Sequence, residues 1–316
     1  RSPLVRRRFP WARSLPAPLT LRQIRRVTTA QWQLRSPGMR YGVTIFATDL
    51  TMPVHEVAVE AEARGLHSLY LPEHTHIPIS RRTPPPTGDA ELPEEYKRTL
   101  DPLVALAAAA TLTTSITLGT GILLPAQRDP IVTAKAVATL QNLSSGRFSL
   151  GVGFGWNEDE LEDHGVAFAD RREVARERVL AMQALWRDDV AAFEGHHVSI
   201  PPTWSWPKPE VPVPVLVGGG GGPKLFAHVA EYADGWIPIG GSGLAEAIPR
   251  LRQAVADAGR DPDGIEIVPF GSVPTPGKLA HFSEIGVTEC VFRLPSAGRD
   301  EVLAALDGYA GIIGSL

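Results

Sequence analysis

This 316-residue chain has a single cysteine, Cys290, which rules out a disulfide framework and a cysteine-built metal cluster. One thiol in so long a chain fits a reducing compartment, so a cytoplasmic protein is expected. No uninterrupted apolar run reaches the roughly 18 residues of a membrane span, so no membrane partner is expected either. The glycine signatures of nucleotide folds are also missing. No G-x-G-x-x-G follows the first strand-like segment, where Thr48-Asp49-Leu50-Thr51 stands, and no G-K-[ST] follows a glycine run. The first absence weighs against a doubly wound sheet and the second against a P-loop. Finally, residues 1–38 contain nine Arg but no Asp, Glu or Lys. The formal charge of −4 therefore hides a body of charge −13 beyond them. Such an acidic body argues against nucleic acid as the main partner; the partner expected for the fold read below is a small-molecule substrate.

The first 38 residues differ from the rest in composition. They are rich in Arg, Pro and Ser, and Met39 is followed at once by an apolar strand-like segment. The expectation is a disordered basic extension lying outside the fold. A mis-called translation start at Met39 accounts for it better than a transit peptide, because the stretch lacks amphipathic order.

From Met39 on, the pattern alternates. Strands are predicted at 41–47, 68–71, 116–122, 147–152, 213–217, 235–239, 265–269 and 289–294, each followed by a helical stretch. Eight β-α units over residues 39–316 predict an α/β fold of one domain, a TIM (β/α)8 barrel with loop insertions. The proline-rich segment 78–93 is one such insertion. An Asp170/Glu173 pair resembles a capping box. Trp204 and Trp206 precede the fifth strand, at the face away from an active site, and are expected to pack.

In such a barrel the active site is built from the loops after the strands, so only those residues are candidates. Glu73 and His74 follow the second strand. An imidazole is suited to proton transfer near neutral pH, although an E-H dipeptide in a loop is as readily a solvated pair. His76 lies close by, but no third ligand is evident and no metal is expected. The third strand ends in Gly119–Ile122, the fourth in Gly153 and Gly155 with Trp156 and Asn157, and the fifth in Gly218, Gly219 and Gly220. Strand ends without side chains suggest that something lies against the backbone there. A glycine run entering a helix that bears Lys224 fits a phosphate cradle. Ser242 lies in the loop after the sixth strand. Trp156 either stacks on a ring or caps the barrel. Arg293, at the end of the eighth strand, meets an anionic substrate or forms a surface ion pair.

The segments L-G-T-G-I-L-L-P-x-x-R-D-P-I-V-T-A-K and L-S-x-G-R-F-x-L-G-V-G-x-G-W-N, with P-V-L-V-G-G and A-D-G-W, carry a resemblance. They resemble the bacterial luciferase-like superfamily, and more closely its actinobacterial branch that uses the deazaflavin coenzyme F420. The resemblance spans Met39 to about Gly314. It implies a TIM barrel with the coenzyme ring across the C-terminal mouth and a cis peptide at Gly121-Ile122 backing the ring. It also implies His74 beside the hydride-carrying carbon, and contacts to the coenzyme tail and phosphate from Gly153, Gly155 and Gly218–Gly220. The sugar-phosphate dehydrogenases of the branch have a Trp where this chain has Pro78, and a catalytic Glu where it has Trp156. A sugar phosphate is therefore not the expected substrate.

The combined expectation is an F420-dependent oxidoreductase with catalytic His74 and Glu73. Its coenzyme-binding residues are Gly121, Ile122, Gly153, Gly155, Trp156, Asn157, Gly218, Gly219, Gly220 and Ser242, and a homodimer is compatible with the family. The alternatives are an FMN-dependent monooxygenase and a non-catalytic flavin- or deazaflavin-binding protein.

Overall fold

The computed structural model describes residues 38–84 and 91–316. The expectation for the N-terminal extension falls on residues outside this range, apart from Gly38. Eight parallel strands run in the order β10-β1-β2-β3-β4-β7-β8-β9. They are β1 (Arg40–Thr44), β2 (Ser68–Leu71), β3 (Thr117–Leu123), β4 (Phe148–Val152), β7 (Val215–Gly218), β8 (Gly235–Ile237), β9 (Glu266–Ile267) and β10 (Glu289–Arg293). β10 pairs with β1, and the seam beside β9 is bridged at Ile239–Phe270 and Phe270–Val291. The result is a nearly closed TIM barrel, as the alternation predicts.

The strands show why this sequence closes. Successive side chains point to opposite faces. Val43, Leu69, Leu118, Leu150, Val215, Val217 and Phe292 join the core shared with the helices. Tyr70, Leu216, Ile237, Val268, Phe270 and Val291 form a second cluster inside the barrel, with Ile122 packed on it. The helices are α1 (Val54–Ala63), α2 (Pro102–Ala110), α3 (Pro130–Leu143), α4 (Glu158–Asp163), α5 (Arg171–Arg187), α6 (Pro223–Tyr232), α7 (Leu244–Asp257), α8 (Pro276–Glu284) and α9 (Arg299–Ile313). Three of them start alike. Asp101, Asp129 and Thr275 each accept a backbone N–H of the first turn, and a proline follows each. No helix among the described residues is long and apolar enough to cross a membrane.

Four features depart from expectation. A hairpin, β5 (Ala191–Glu194) with β6 (Ser199–Thr203), is inserted before the fifth barrel strand. Its turn is held by Glu177, whose carboxylate accepts the N–H groups of His196, His197 and Val198 at 2.7–2.9 Å. Helix α4 is additional to the eight β-α units. Asp170 makes no side-chain cap, and Glu173 pairs with Arg176 instead. Trp204 and Trp206 are exposed rather than packed, because the inserted hairpin carries their segment over the outside of the helix layer.

At the other end of the barrel, Glu62 at the close of α1 receives the start of β3. Its carboxylate accepts backbone N–H groups of Thr114, Ser115 and Ile116 and the Ser115 hydroxyl. Burial alone would raise its pKa, but these donors win and bring it to about 2. A depressed carboxylate stabilises the fold above its unfolded pKa and loses that contribution as pH falls toward the folded value. Glu62→Gln is therefore expected to cost about 1–2 kcal/mol near pH 7, discounted for partial exposure. That cost should shrink between about pH 4.5 and pH 2. Urea unfolding of both proteins across this range checks it.

Candidate functional site

The mouth of the barrel is framed by the loops that follow the strands. His74 stands in the loop after β2, with its side chain mostly buried. It does not pair with Glu73. Its Nδ1 lies 2.9 Å from Oε2 of Glu160 on α4, a residue only 1% exposed. The Glu160 carboxylate accepts, so Nδ1 carries the proton and Nε2 is turned free. Nε2 has no hydrogen-bond partner among the described residues. Tyr96 and Trp156 flank the imidazole, with ring centroids at 5.2 and 5.9 Å, and Phe46 lies 4.7 Å from Tyr96 with its ring tilted by 38°. This arrangement can take up or deliver one proton in a ring-walled space.

Glu73 has a different position. It is almost fully buried and accepts the Leu124 N–H at 2.6 Å and Nε of Arg128 at 2.5 Å. Arg128 reaches on to Asp101, the cap of α2, at 2.6 Å. Burial holds the Glu73 carboxyl above the usual carboxylate range, although Arg128 and the Leu124 N–H pull the other way. The clamp ties the end of β2 to the end of β3. Arg178 of α5 completes it by donating to the carbonyls of Pro125, Ala126 and Arg128.

Within the span so clamped, the Gly121-Ile122 peptide is cis, as the family resemblance implies. The glycines around it fall into two groups. A Cβ at Gly121 would meet the Phe270 ring, and one at Gly119 the Tyr70 ring. A Cβ at Gly153 or Gly218 would meet the Ile122 side chain. These missing side chains make room for the protein's own groups: Ile122 lies across the ends of β4 and β7 because Gly153 follows the first and Gly218 closes the second. Further out, Gly220, Gly222, Gly240 and Gly243 have nothing within 4 Å of a built Cβ, and Gly155 has only Leu124 at 3.8 Å. This outer set is the part of the glycine pattern that leaves space for a ligand.

Two observations test whether a flavin-like coenzyme suits these residues. The outer glycines at the mouth leave open space where side chains would otherwise project. Asn157, 1% exposed, has neither its amide nitrogen nor its amide oxygen hydrogen-bonded. Buried amides are normally satisfied, so this one calls for a partner that the described residues do not supply. Lys224 and Arg172 lie on the same side and form no ion pair among the described residues. Arg172 instead sits 4.3 Å over Phe154. Ser242 is exposed in the loop after β8. The donor set fits a ring with an anionic tail.

Sequence reasoning missed Glu160, Arg128, Asp101 and Tyr96. Glu160 lies 86 residues from His74, and nothing local signals the contact. Asp101 and Arg128 read locally as a helix cap and a loop charge. Arg293, left open between two roles, pairs with Glu95 at 3.0 Å and lies 5.4 Å over Phe46. Cys290 is buried in the core, and burial pushes its thiol up to about 12, which leaves it unreactive.

Residues 47–275 match the luciferase-like monooxygenase family. An uncharacterized protein of Mycobacterium tuberculosis is 46% identical over 277 residues, 86% of this chain and 98% of the relative. The phthiodiolone/phenolphthiodiolone dimycocerosates ketoreductase of the same organism is 30% identical over 234 residues, 68% of this chain and 59% of that protein. Among solved structures, an F420-dependent secondary alcohol dehydrogenase in complex with an F420-acetone adduct superposes with a TM-score of 0.70. It is 20% identical, with 88% of this chain and 99% of that chain covered. The chain belongs to the luciferase-like monooxygenase family.

The clamp gives a stability test of its own. Arg128→Met leaves the Glu73 carboxylate buried without its cation, at an expected cost of about 3 kcal/mol near pH 7. A carboxyl whose folded pKa is raised costs stability above that pKa and is relieved as pH falls toward the unfolded value. The difference between variant and parent should therefore narrow on acidification, read by urea unfolding at several pH values.

Proposed function

We propose that this oxidoreductase of the luciferase-like family uses the deazaflavin coenzyme F420 to interconvert an alcohol and a carbonyl compound, with His74 as proton carrier. The observation that supports this most is the Glu160–His74 pair at the barrel mouth, which leaves Nε2 without a partner among the described residues. A ketoreductase among the relatives and an alcohol dehydrogenase among the structural neighbours bear names of this chemistry. Gly121, Ile122, Gly153, Gly155, Trp156, Asn157, Gly218, Gly219, Gly220 and Ser242 are the residues proposed to hold the coenzyme. When bound, it supplies the hydride chemistry.

The chain's own residues do the rest. Nε2 of His74 takes the hydroxyl proton of an alcohol, or returns it to a carbonyl oxygen, and Glu160 stabilises the imidazolium that results. Tyr96 and Trp156 fix the ring plane and exclude water. The Glu73–Arg128 clamp keeps His74 and Ile122 in register. The outer glycines and Asn157 offer backbone and amide donors, with Lys224 at the start of α6 for an anion.

The first test is the identity of the bound ring, by absorbance and mass after incubating the purified protein with F420 and with FMN. Preference for FMN would favour the monooxygenase reading. His74→Ala is expected to keep coenzyme affinity within a few-fold and to lower turnover at least ~100-fold, with Glu160→Gln losing about 10-fold. Normal turnover in His74→Ala would make the histidine structural.

A second variant tests the cradle. A side chain at Gly219 would be strained at φ +145° and would meet Leu225, so its loss of affinity would be ambiguous. Gly220 lacks both problems. Gly220→Val should fold normally yet bind the coenzyme at least ~10-fold more weakly by fluorescence titration. Unchanged affinity would place the anionic tail elsewhere.

A further inference from the structure

Two rings that pack together at the mouth, those of His74 and Tyr96, each carry a polar atom with no hydrogen-bond partner among the described residues. The body of Tyr96 is buried between Phe46 on one side and the His74 and Trp156 rings on the other, and the residue is only 7% exposed. A phenol buried to this degree ordinarily finds a partner for its hydroxyl. Tyr309 does so, donating to the Arg293 carbonyl at 2.6 Å. Tyr232 does not, and its oxygen is sealed from solvent. The Tyr96 oxygen is unpartnered without being sealed, so it opens toward whatever occupies the mouth. Packing alone would be served as well by phenylalanine.

The phenol is held from a different side than the imidazole. Tyr96 lies on a short 3-10 turn, Glu94–Arg98, in the loop after β2. Thr99 closes this turn by donating to the carbonyls of Glu95 and Tyr96, and Leu100 donates to the Ala47 carbonyl. Arg98 pairs with Asp49, beyond β1, and Glu95 with Arg293 at the end of β10. His74 is fixed instead by Glu160 on α4. Two independent supports thus bring an imidazole nitrogen and a phenol oxygen to one wall. Burial pushes the Tyr96 hydroxyl above the usual phenol range, and the nearby Arg293 offsets this only in part. The group therefore keeps its proton at neutral pH and serves as a donor.

We propose that the Tyr96 hydroxyl donates a hydrogen bond to the substrate oxygen while Nε2 of His74 exchanges the proton with that oxygen. The identity of the substrate as a carbonyl or alcohol rests on the oxidoreductase reading. In the reducing direction a hydride from the reduced deazaflavin joins the carbonyl carbon, and the π pair of the C=O bond moves to oxygen. The imidazolium of His74 then gives that oxygen its Nε2 proton. Tyr96 keeps its own proton throughout and stabilises the negative charge as it develops. Oxidation of the alcohol retraces these steps.

The test reads carbonyl polarisation directly, with para-dimethylaminocinnamaldehyde titrated into the purified full-length chain without coenzyme. The absorbance band of this aldehyde moves to longer wavelength when its oxygen accepts hydrogen bonds. The parent should shift the band on binding. Tyr96→Phe keeps the ring and should melt like the parent. It should lose much of the shift while binding the aldehyde at most about tenfold more weakly. With F420 bound, Tyr96→Phe should lower kcat about 100-fold and leave coenzyme affinity within a few-fold. A parent that leaves the band in place, or a Tyr96→Phe variant with the parent's full shift, would overturn the proposal. The two readings fail separately. A Tyr96-dependent shift in a protein that binds no F420 removes the proposed function and keeps the hydroxyl contact. F420 binding with a shift that Tyr96→Phe retains does the reverse.

Discussion

One buried carboxylate organises both halves of the site. Glu73 accepts from the backbone of Leu124 and from Arg128, and it sits next to His74 in the chain. Its bonds fix the path of the segment that contains the cis Gly121-Ile122 peptide, and its covalent neighbour is His74, the proposed proton carrier. A carboxylate buried to this degree is tolerated only with a matched cation and a backbone donor. The proton-handling group and the shelf are therefore positioned by the same bonds. The role this gives Glu73 is to hold its neighbours in place, while the carboxylate in contact with His74 is Glu160 on a different element.

Ile122 makes the next link. Its side chain lies over the ends of β4 and β7 and occupies the space that Gly153 and Gly218 leave. Phe270 and Tyr70 fill the corresponding space beside Gly121 and Gly119. The upper layer of the barrel is thus sealed by the protein's own groups. The proposed coenzyme site lies above that layer, where the outer glycines leave open space. The glycines thus fall into two tiers, one that admits the protein's own side chains and one that faces open space.

Much of this architecture was legible in the sequence because it is local and periodic. The alternation of apolar strands and amphipathic helices fixed the barrel and which residues reach its mouth. Glycine at strand ends marked where side chains are missing, but not the difference between a glycine facing Ile122 and one facing open space. That difference depends on where a side chain from another strand goes. Glu160 was illegible for the same reason: on a six-residue helix it reads as one acid among several, and only the folded barrel brings it to His74. The hairpin was missed because β5 and β6 are short and the second of them contains Pro201 and Pro202, which break a strand pattern.

The dependence of His74 on α4 makes the long loop after β2 part of the site. That loop is fastened along α4 at successive points. Thr75 meets His164 at 2.7 Å, His76 meets Asp163 at 3.0 Å, and Thr83 accepts the Glu158 N–H at 3.2 Å. Arg82 reaches Asp159 and Glu162. Most of these pairs are exposed, and each is worth little alone. Together they hold a loop with no strand among its described residues against a helix of less than two turns. The imidazole at the base of this zipper is oriented only while the loop and helix stay together. The barrel supplies the frame, and His74 is held at its edge by contacts between this loop and helix α4.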